Sequence, residues 1–179
     1  AEEQSQYING VTQINGYTEF EQPQVIENQD MAQLGYSDIR AYEIENAGEL
    51  AWFVQHFYAG DLETQNVSLA DNIDMSALAA YSWTPLGYYN VETQTGKSYD
   101  GVFDGNGYSI SNIILNQING VDLVSKVSEE QAAVLGTQPI ENIAQNALAG
   151  VFGYIGSAGH VTELKLENTS ITSNADAGV

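Results

Sequence analysis

What most constrains the fold of this chain is the brevity of its apolar runs. Asn66-Val-Ser-Leu69, Ile73-Asp-Met75, Tyr99-Asp-Gly-Val-Phe103, Tyr108-Ser-Ile110, Ile113-Ile-Leu115, Val151-Phe152, Val161-Thr-Glu-Leu-Lys-Leu166 and Thr169-Ser-Ile171 are each only a few residues long. Gly, Asn, Asp and Ser separate them, the punctuation of short strands joined by tight turns. None approaches the ~20 apolar residues of a membrane-spanning helix. Their spacing lacks the even hairpin rhythm of a sandwich. Leu164-Lys-Leu166-Glu-Asn168-Thr-Ser-Ile171 alternates apolar residues and then places Asn at a bend, the composition of one rung of a parallel β-solenoid.

One segment carries a clear helical period. Over 46–60, Ala47, Leu50, Val54, Phe57 and Tyr58 make one apolar face, with Trp52 and His56 on the other side. Asn46 can cap the first turn while Glu49 reaches back, and Gly60 stands where a left-handed residue would close the helix. Residues 1–40 contain an echo, Ile8-Asn-Gly-Val and Ile14-Asn-Gly-Tyr, but neither strict alternation nor a helical stripe. They predict an irregular N-terminal arm, with strand addition to a neighbouring molecule as the sharper reading. An insertion at 117–147 interrupts the strand pattern; Ser128 and Gln131 can cap a short helix running to Gly136, and Pro139 ends it.

The stretch DGVFDGNGYSI, Asp100 to Ile110, poses the question of calcium. In an EF-hand register Asp104, Asn106 and Gly107 fill loop positions 3, 5 and 6. Positions 1 and 12 then fall on Val102 and Ile113, so the essential ligands are missing. The glycines are better explained by the backbone: Gly105 and Gly107 can supply positive φ, Asn106 tolerates left-handed geometry, and Phe103 and Ile110 can fill a core on either side. Calcium held outside an EF-hand remains a candidate at Asp100, Asp104 and Asn106, against the simpler reading in which these side chains cap backbone amides.

Composition narrows the function classes. Twenty-four acidic residues face Arg40, Lys97, Lys126 and Lys165, a net charge of −20. That surface repels nucleic acid and anionic membranes. With no cysteine, disulfides, thiolate metal sites and cysteine nucleophiles are all excluded. An uncharged polar surface with few basic residues fits an exported, salt-adapted protein, and the chain starts without the basic and apolar regions of a signal peptide. A lyase acting on uronates needs basic residues that this chain hardly has. A glycosidase needs two facing carboxylates, for which Asp71, Asp74, Asp100 and Asp104 are the candidates, each beside a turn. His56 and His160 form no H-E-x-x-H. Trp83 with Tyr88 and Tyr89 can form an aromatic sugar-binding face. Asn66-Val-Ser68 and Asn168-Thr-Ser170 match glycosylation sequons.

Taken in order, Tyr42-Glu-Ile-Glu-Asn-Ala-Gly-Glu-Leu-Ala-Trp-Phe53, Leu69…Asp71-Asn-Ile-Asp-Met75, Trp83-Thr-Pro-Leu-Gly87, Gly101-Val-Phe-Asp-Gly-Asn-Gly-Tyr-Ser-Ile110 and Gly150-Val-Phe-Gly153 resemble the GLUG-motif family of secreted bacterial surface proteins over about residues 41–179. Val151 stands where that motif has Leu, and the 117–147 segment is longer than the family's usual connection. The resemblance implies a right-handed parallel β-helix over 41–179, with the 46–60 helix as its cap and the chain mainly β. It also implies a non-enzymatic adhesin or stalk on the bacterial cell surface, bound to a glycan, to a protein receptor or to copies of itself; no cofactor is expected, calcium at the loop residues above being the one candidate. Alternatives are a self-assembling filament subunit and a polysaccharide-active enzyme. Leu148-Ala-Gly-Val-Phe-Gly153 recurs in part as Ala175-Asp-Ala-Gly-Val179, the mark of a second repeat in a longer protein or of a subunit that stacks on another.

Overall fold

The computed structural model describes residues 5–14, 17–60, 62–120, 123 and 149–173. In chain order the elements are β1 (Ser5–Ile8), β2 (Val11–Ile14), β3 (Tyr17–Phe20), β4 (Gln24–Glu27), α1 (Gln29–Gln33), β5 (Arg40–Ile44), α2 (Ala47–Ala59), β6 (Asn66–Leu69), β7 (Ile73–Asp74), a 3₁₀ turn Met75–Leu78, β8 (Tyr88–Asn90), β9 (Thr95–Lys97), β10 (Val102–Asp104), β11 (Ser109–Ser111), β12 (Ile114–Asn116), β13 (His160–Thr162), β14 (Lys165–Glu167) and β15 (Ser170–Thr172). Most of the short apolar runs become short strands, Val151-Phe152 making only an isolated bridge to Leu86, and the described chain is mainly β.

The regular parallel β-helix expected over 41–179 is not what these strands form. The largest sheet, in the order β13-β10-β6-β5-β4, is mixed, because β4 joins it antiparallel with Val25 opposite Tyr42. β1, β2 and β3 form a separate antiparallel sheet, and β8 and β9 an antiparallel hairpin. Loop length explains the two smaller sheets, since strands joined by a few residues can pair only antiparallel; β4 instead returns antiparallel to β5 through the longer connection 28–39, which holds α1. Parallel pairing occurs where the connections are long. Phe103 lies between Val67 and Val161, Ile110 between Ile73 and Leu166, and Leu115 pairs with Ile171.

The segment 1–40, predicted to be irregular, contains β1–β4 and α1 instead. The helix expected between Ser128 and Gly136 and the recurrence at Ala175–Val179 lie outside the described residues.

Alternation sorts the mixed sheet. Val67, Leu69 and Phe103 point into the main core, where Phe53, Phe57, Ile44, Ile73, Ile110 and Ile113 are each at most 1% exposed. Burying each such side chain is worth about 1.5–3 kcal/mol. Ala41 and Val102 point the other way and pack with Met31 of α1 in a small second cluster.

The predicted helix is present. Asn46 accepts the Glu49 amide at 2.9 Å, and the Glu49 carboxylate reaches back to the amide of Glu45, one residue earlier than expected. Gly60 ends the helix with φ −143, outside the left-handed region, its amide donating to His56 O. One flank of α2 carries the antiparallel sheet, with Gly48 donating to Asn9 O at 2.8 Å. The backbones meet there so closely that a Cβ on Gly48 would lie 1.8 Å from Gly10 O.

Candidate functional site

The Asp100–Ile110 loop is built from its own backbone. Asn106 lies at φ 54 and Gly107 at φ 81, both left-handed, as a tight turn between β10 and β11 demands. Gly105 serves a different need from the one anticipated. It is absent from the positive-φ residues; a Cβ there would lie 2.5 Å from Glu163 O and Leu164 Cα. It is small because the next stacked segment crosses it. Phe103 and Ile110 are buried at 1% exposure on either side of the turn.

Of the three candidate calcium residues, Asp104 and Asn106 are bonded to each other and Asp100 belongs to a separate network. Asp104, 3% exposed, accepts the Asn106 amide at 2.8 Å with one oxygen and the Asn28 amide group at 3.3 Å with the other. Asn28 also donates to Ser68 Oγ at 3.1 Å and caps α1, so Asp104 fastens α1 to the sheet. Asn106 donates to Leu69 O. Asp100 accepts from Ser98 Oγ at 2.6 Å and from the Ala158 amide, and a Cβ on Gly156 would touch its carboxylate at 2.1 Å. Asp100 and Asp104 thus share no partner, and among the described residues no three His, Cys, Asp or Glu side chains gather as a metal site.

The other two carboxylates considered also serve the backbone. Asp71 accepts the Asn72 amide, and Asp74 caps the 3₁₀ turn at the Ser76 amide. Asp74 further accepts Asn112 Nδ2 at 2.8 Å, and Asn112 Oδ1 accepts Asn168 Nδ2 at 2.6 Å. The result is a ladder of three side chains up the outside of the molecule, with Asn112 and Asn168 left-handed at φ 62 and 52. These bonds hold Asp74 below the usual carboxylate range, Asn112 contributing most. Asn168 was legible as a bend residue; Asn112 lacked the repeat in sequence that would have matched it to Asp74.

The aromatic face is divided by burial. Trp83 is only 4% exposed and donates its Nε1 to Val151 O at 3.0 Å, so it belongs to the core. Tyr88 and Tyr89 are half-buried on β8. Tyr88 lies 6.0 Å from Tyr58, whose hydroxyl donates to Pro85 O. Tyr89 meets Tyr154 edge-on at 5.6 Å, and Tyr154 is 39% exposed. Tyr154 went unnoticed in the sequence, since what brings it here is contact between distant backbones. A Cβ on Gly87 would lie 2.2 Å from Tyr154 O, and one on Gly153 2.2 Å from Gly87 O. Val91 and Ile155, close in sequence to Tyr89 and Tyr154, are also exposed.

At the N-terminus of α2, Glu49 is 4% exposed and its pKa is pushed up to about 7. Burial is the main cause, and the charges of Glu21, Glu45 and Glu43 add to it against the Glu45 amide bond. His56 stacks on Trp52 at 3.8 Å with Nδ1 against Trp52 O, and burial pulls its pKa down.

No protein-family profile matches the chain, and no solved structure does. Among curated proteins it is similar to halomucin of Haloquadratum walsbyi (strain DSM 16790 / HBSQ001), 28% identical over 139 residues. The alignment covers 76% of this chain and 1% of halomucin, so the matched region is about one hundredth of that protein's length. Among the described residues no helix is long and apolar enough to cross a membrane.

Proposed function

We propose that this chain is a non-enzymatic segment of a secreted or cell-surface protein, an adhesin or stalk piece that mediates attachment. The observation that carries this reading is the similarity to a short stretch of halomucin, a mucin by its name and far longer than this chain. The GLUG-motif resemblance points the same way, as does a net charge of −20, which suits solubility in salt and disfavours anionic partners. The carboxylates that an enzyme would need facing one another are occupied with backbone amides and asparagines.

Surface labelling tests the proposal. An antibody raised against this chain should stain intact cells, and brief external protease should release the epitope. Staining that requires lysis would sink it. Within this reading the ligand-facing patch is Tyr89 and Tyr154, where a sugar ring can stack on an exposed phenol, while Tyr88, the adjacent residue on β8, turns to Tyr58. Tyr154→Ala should reduce retention on immobilised glycans about tenfold, the loss of one stacking contact of ~1.4 kcal/mol, with the exposed Tyr7→Ala in the β1-β2-β3 sheet as the comparison. Equal retention by both variants would remove the sugar from the proposal.

A further inference from the structure

The two sequons meet opposite fates in the fold. Asn66 is 6% exposed on the central strand β6. Its Nδ2 donates to Asp38 O at 2.9 Å and Arg40 O at 3.0 Å, and its Oδ1 accepts the Val102 amide at 3.0 Å. Both amide hydrogens are used, so a sugar on Nδ2 would break this crossing point. Asn168 is exposed at a left-handed bend between β14 and β15. Thr169 follows, and the exposed Ser170 begins β15, opposite the exposed Ile114. Asparagine, bend and hydroxyl are therefore presented together on the outer side of the molecule.

We propose that Asn168 is an N-linked glycosylation site and that it is the sequon this molecule uses. The inference rests on the extracellular reading, because N-glycans are added during export. The ladder is compatible with the modification. A primary amide carries two hydrogens, and Asn168 commits one to Asn112 Oδ1 at 2.6 Å. In the transfer, Asn168 Nδ2 forms a bond to C1 of the sugar of a lipid-phosphate-linked oligosaccharide. The C1–O bond breaks, the lipid phosphate leaves with the bonding pair, and one amide proton passes to a base of the transferase. The remaining hydrogen keeps the bond to Asn112, so the glycan stands on a side chain already fixed at its base.

Glycopeptide mass mapping of the native protein, recovered separately from the cell surface and from lysate, provides the test. The Asn168 peptide of the surface fraction should be heavier by an oligosaccharide and release sugar fragment ions; the Asn66 peptide should have its bare mass. Asn168→Gln and Ser170→Ala should both abolish the increment, Ser170→Thr should keep it, and Asn66→Gln should leave it unchanged. Ser170→Ala retains the ladder, so loss there separates the sequon from the fold. A bare Asn168 peptide in surface protein would overturn the glycan and leave the surface reading intact. Protein confined to lysate with Asn168 bare would overturn both.

Discussion

At the scale of single residues, Gly105 and Gly107 separate two reasons for a glycine that look identical in sequence. Gly107 has φ +81 and open space where a Cβ would go, so Gly107→Ala meets only backbone strain, about 1–2 kcal/mol. Gly105→Ala drives a methyl into the backbone of Glu163 and Leu164 and should cost more, up to ~3 kcal/mol, with movement of the β13–β14 turn. Urea unfolding of the two variants gives the order; a larger loss at Gly107 would mean that the stacked segment yields easily. The turn was legible because Asp, Gly and Asn act locally, whereas the crossing at Gly105 depends on a segment almost sixty residues away. Glu49 gives a second prediction. Its folded pKa of about 7 lies above its ordinary 4.5, so the native state binds the extra proton between these values. This group therefore lowers stability as pH rises through that window, with the full penalty above 7. Glu49→Gln keeps an oxygen for the Glu45 amide and removes the charge beside Glu21, Glu43 and Glu45. The variant should melt higher than the parent at about pH 8 and lose that advantage near pH 4.5, as followed by thermal unfolding across pH. An unchanged pH slope would show that water already solvates Glu49.

At the scale of elements, α2 was legible almost to the residue because its cap and its apolar stripe are written within one segment. The antiparallel sheet β1-β2-β3 was not. Among its described side chains and its turns, Val11, Phe20 and Thr18 are deeply buried while Tyr7 and Ile8 face solvent, so little alternation appears in the sequence. Its docking depends on Gly10 and Gly48, two residues with no side chain to betray it. The hairpin β8–β9 shows the same dependence on distant contacts. It is tied to α2 by Lys97, whose ammonium donates to Phe57 O and to Gly60 O at 2.8 Å, lies 5.0 Å above the Phe57 ring and pairs with Glu63 at 3.5 Å. A cation at a helix C-terminus satisfies carbonyls that have no partner within the helix. Lys97→Met keeps the stem and removes the charge, at an expected cost of about 1–3 kcal/mol. Hydrogen exchange should then accelerate at the hairpin and the last turn of α2 while β10 and β13 remain protected. Uniform acceleration would instead mean that the hairpin and core open as one unit.

At the scale of the whole molecule, the short strands and the mainly β character followed from the sequence, but their arrangement did not. Parallel and antiparallel pairings draw on the same apolar runs; short connections impose the antiparallel form in β1–β3 and β8–β9, but β4 and β5 pair antiparallel across 28–39, where connection length does not decide. The charge acts at this scale too. Twenty-four acidic residues oppose four basic ones, and among the described residues Arg40 pairs with Asp38 on an exposed loop and Lys97 with Glu63. Most carboxylates therefore face other carboxylates through solvent, and folding crowds them together. Raising NaCl from about 0.1 M to 1 M shortens the screening length from ~10 Å to ~3 Å, which weakens repulsion between exposed charges and hardly affects buried contacts. The melting temperature should climb steadily over that range. A second effect, the strengthening of apolar burial by salt, acts in the same direction and must be separated. Replacing the exposed Glu27 and Glu167 by Gln lowers the charge without touching the core, so it should raise stability at low salt and flatten the salt dependence. Equal slopes for parent and variant would assign the stabilisation to apolar burial and leave the acidic surface with solubility as its role.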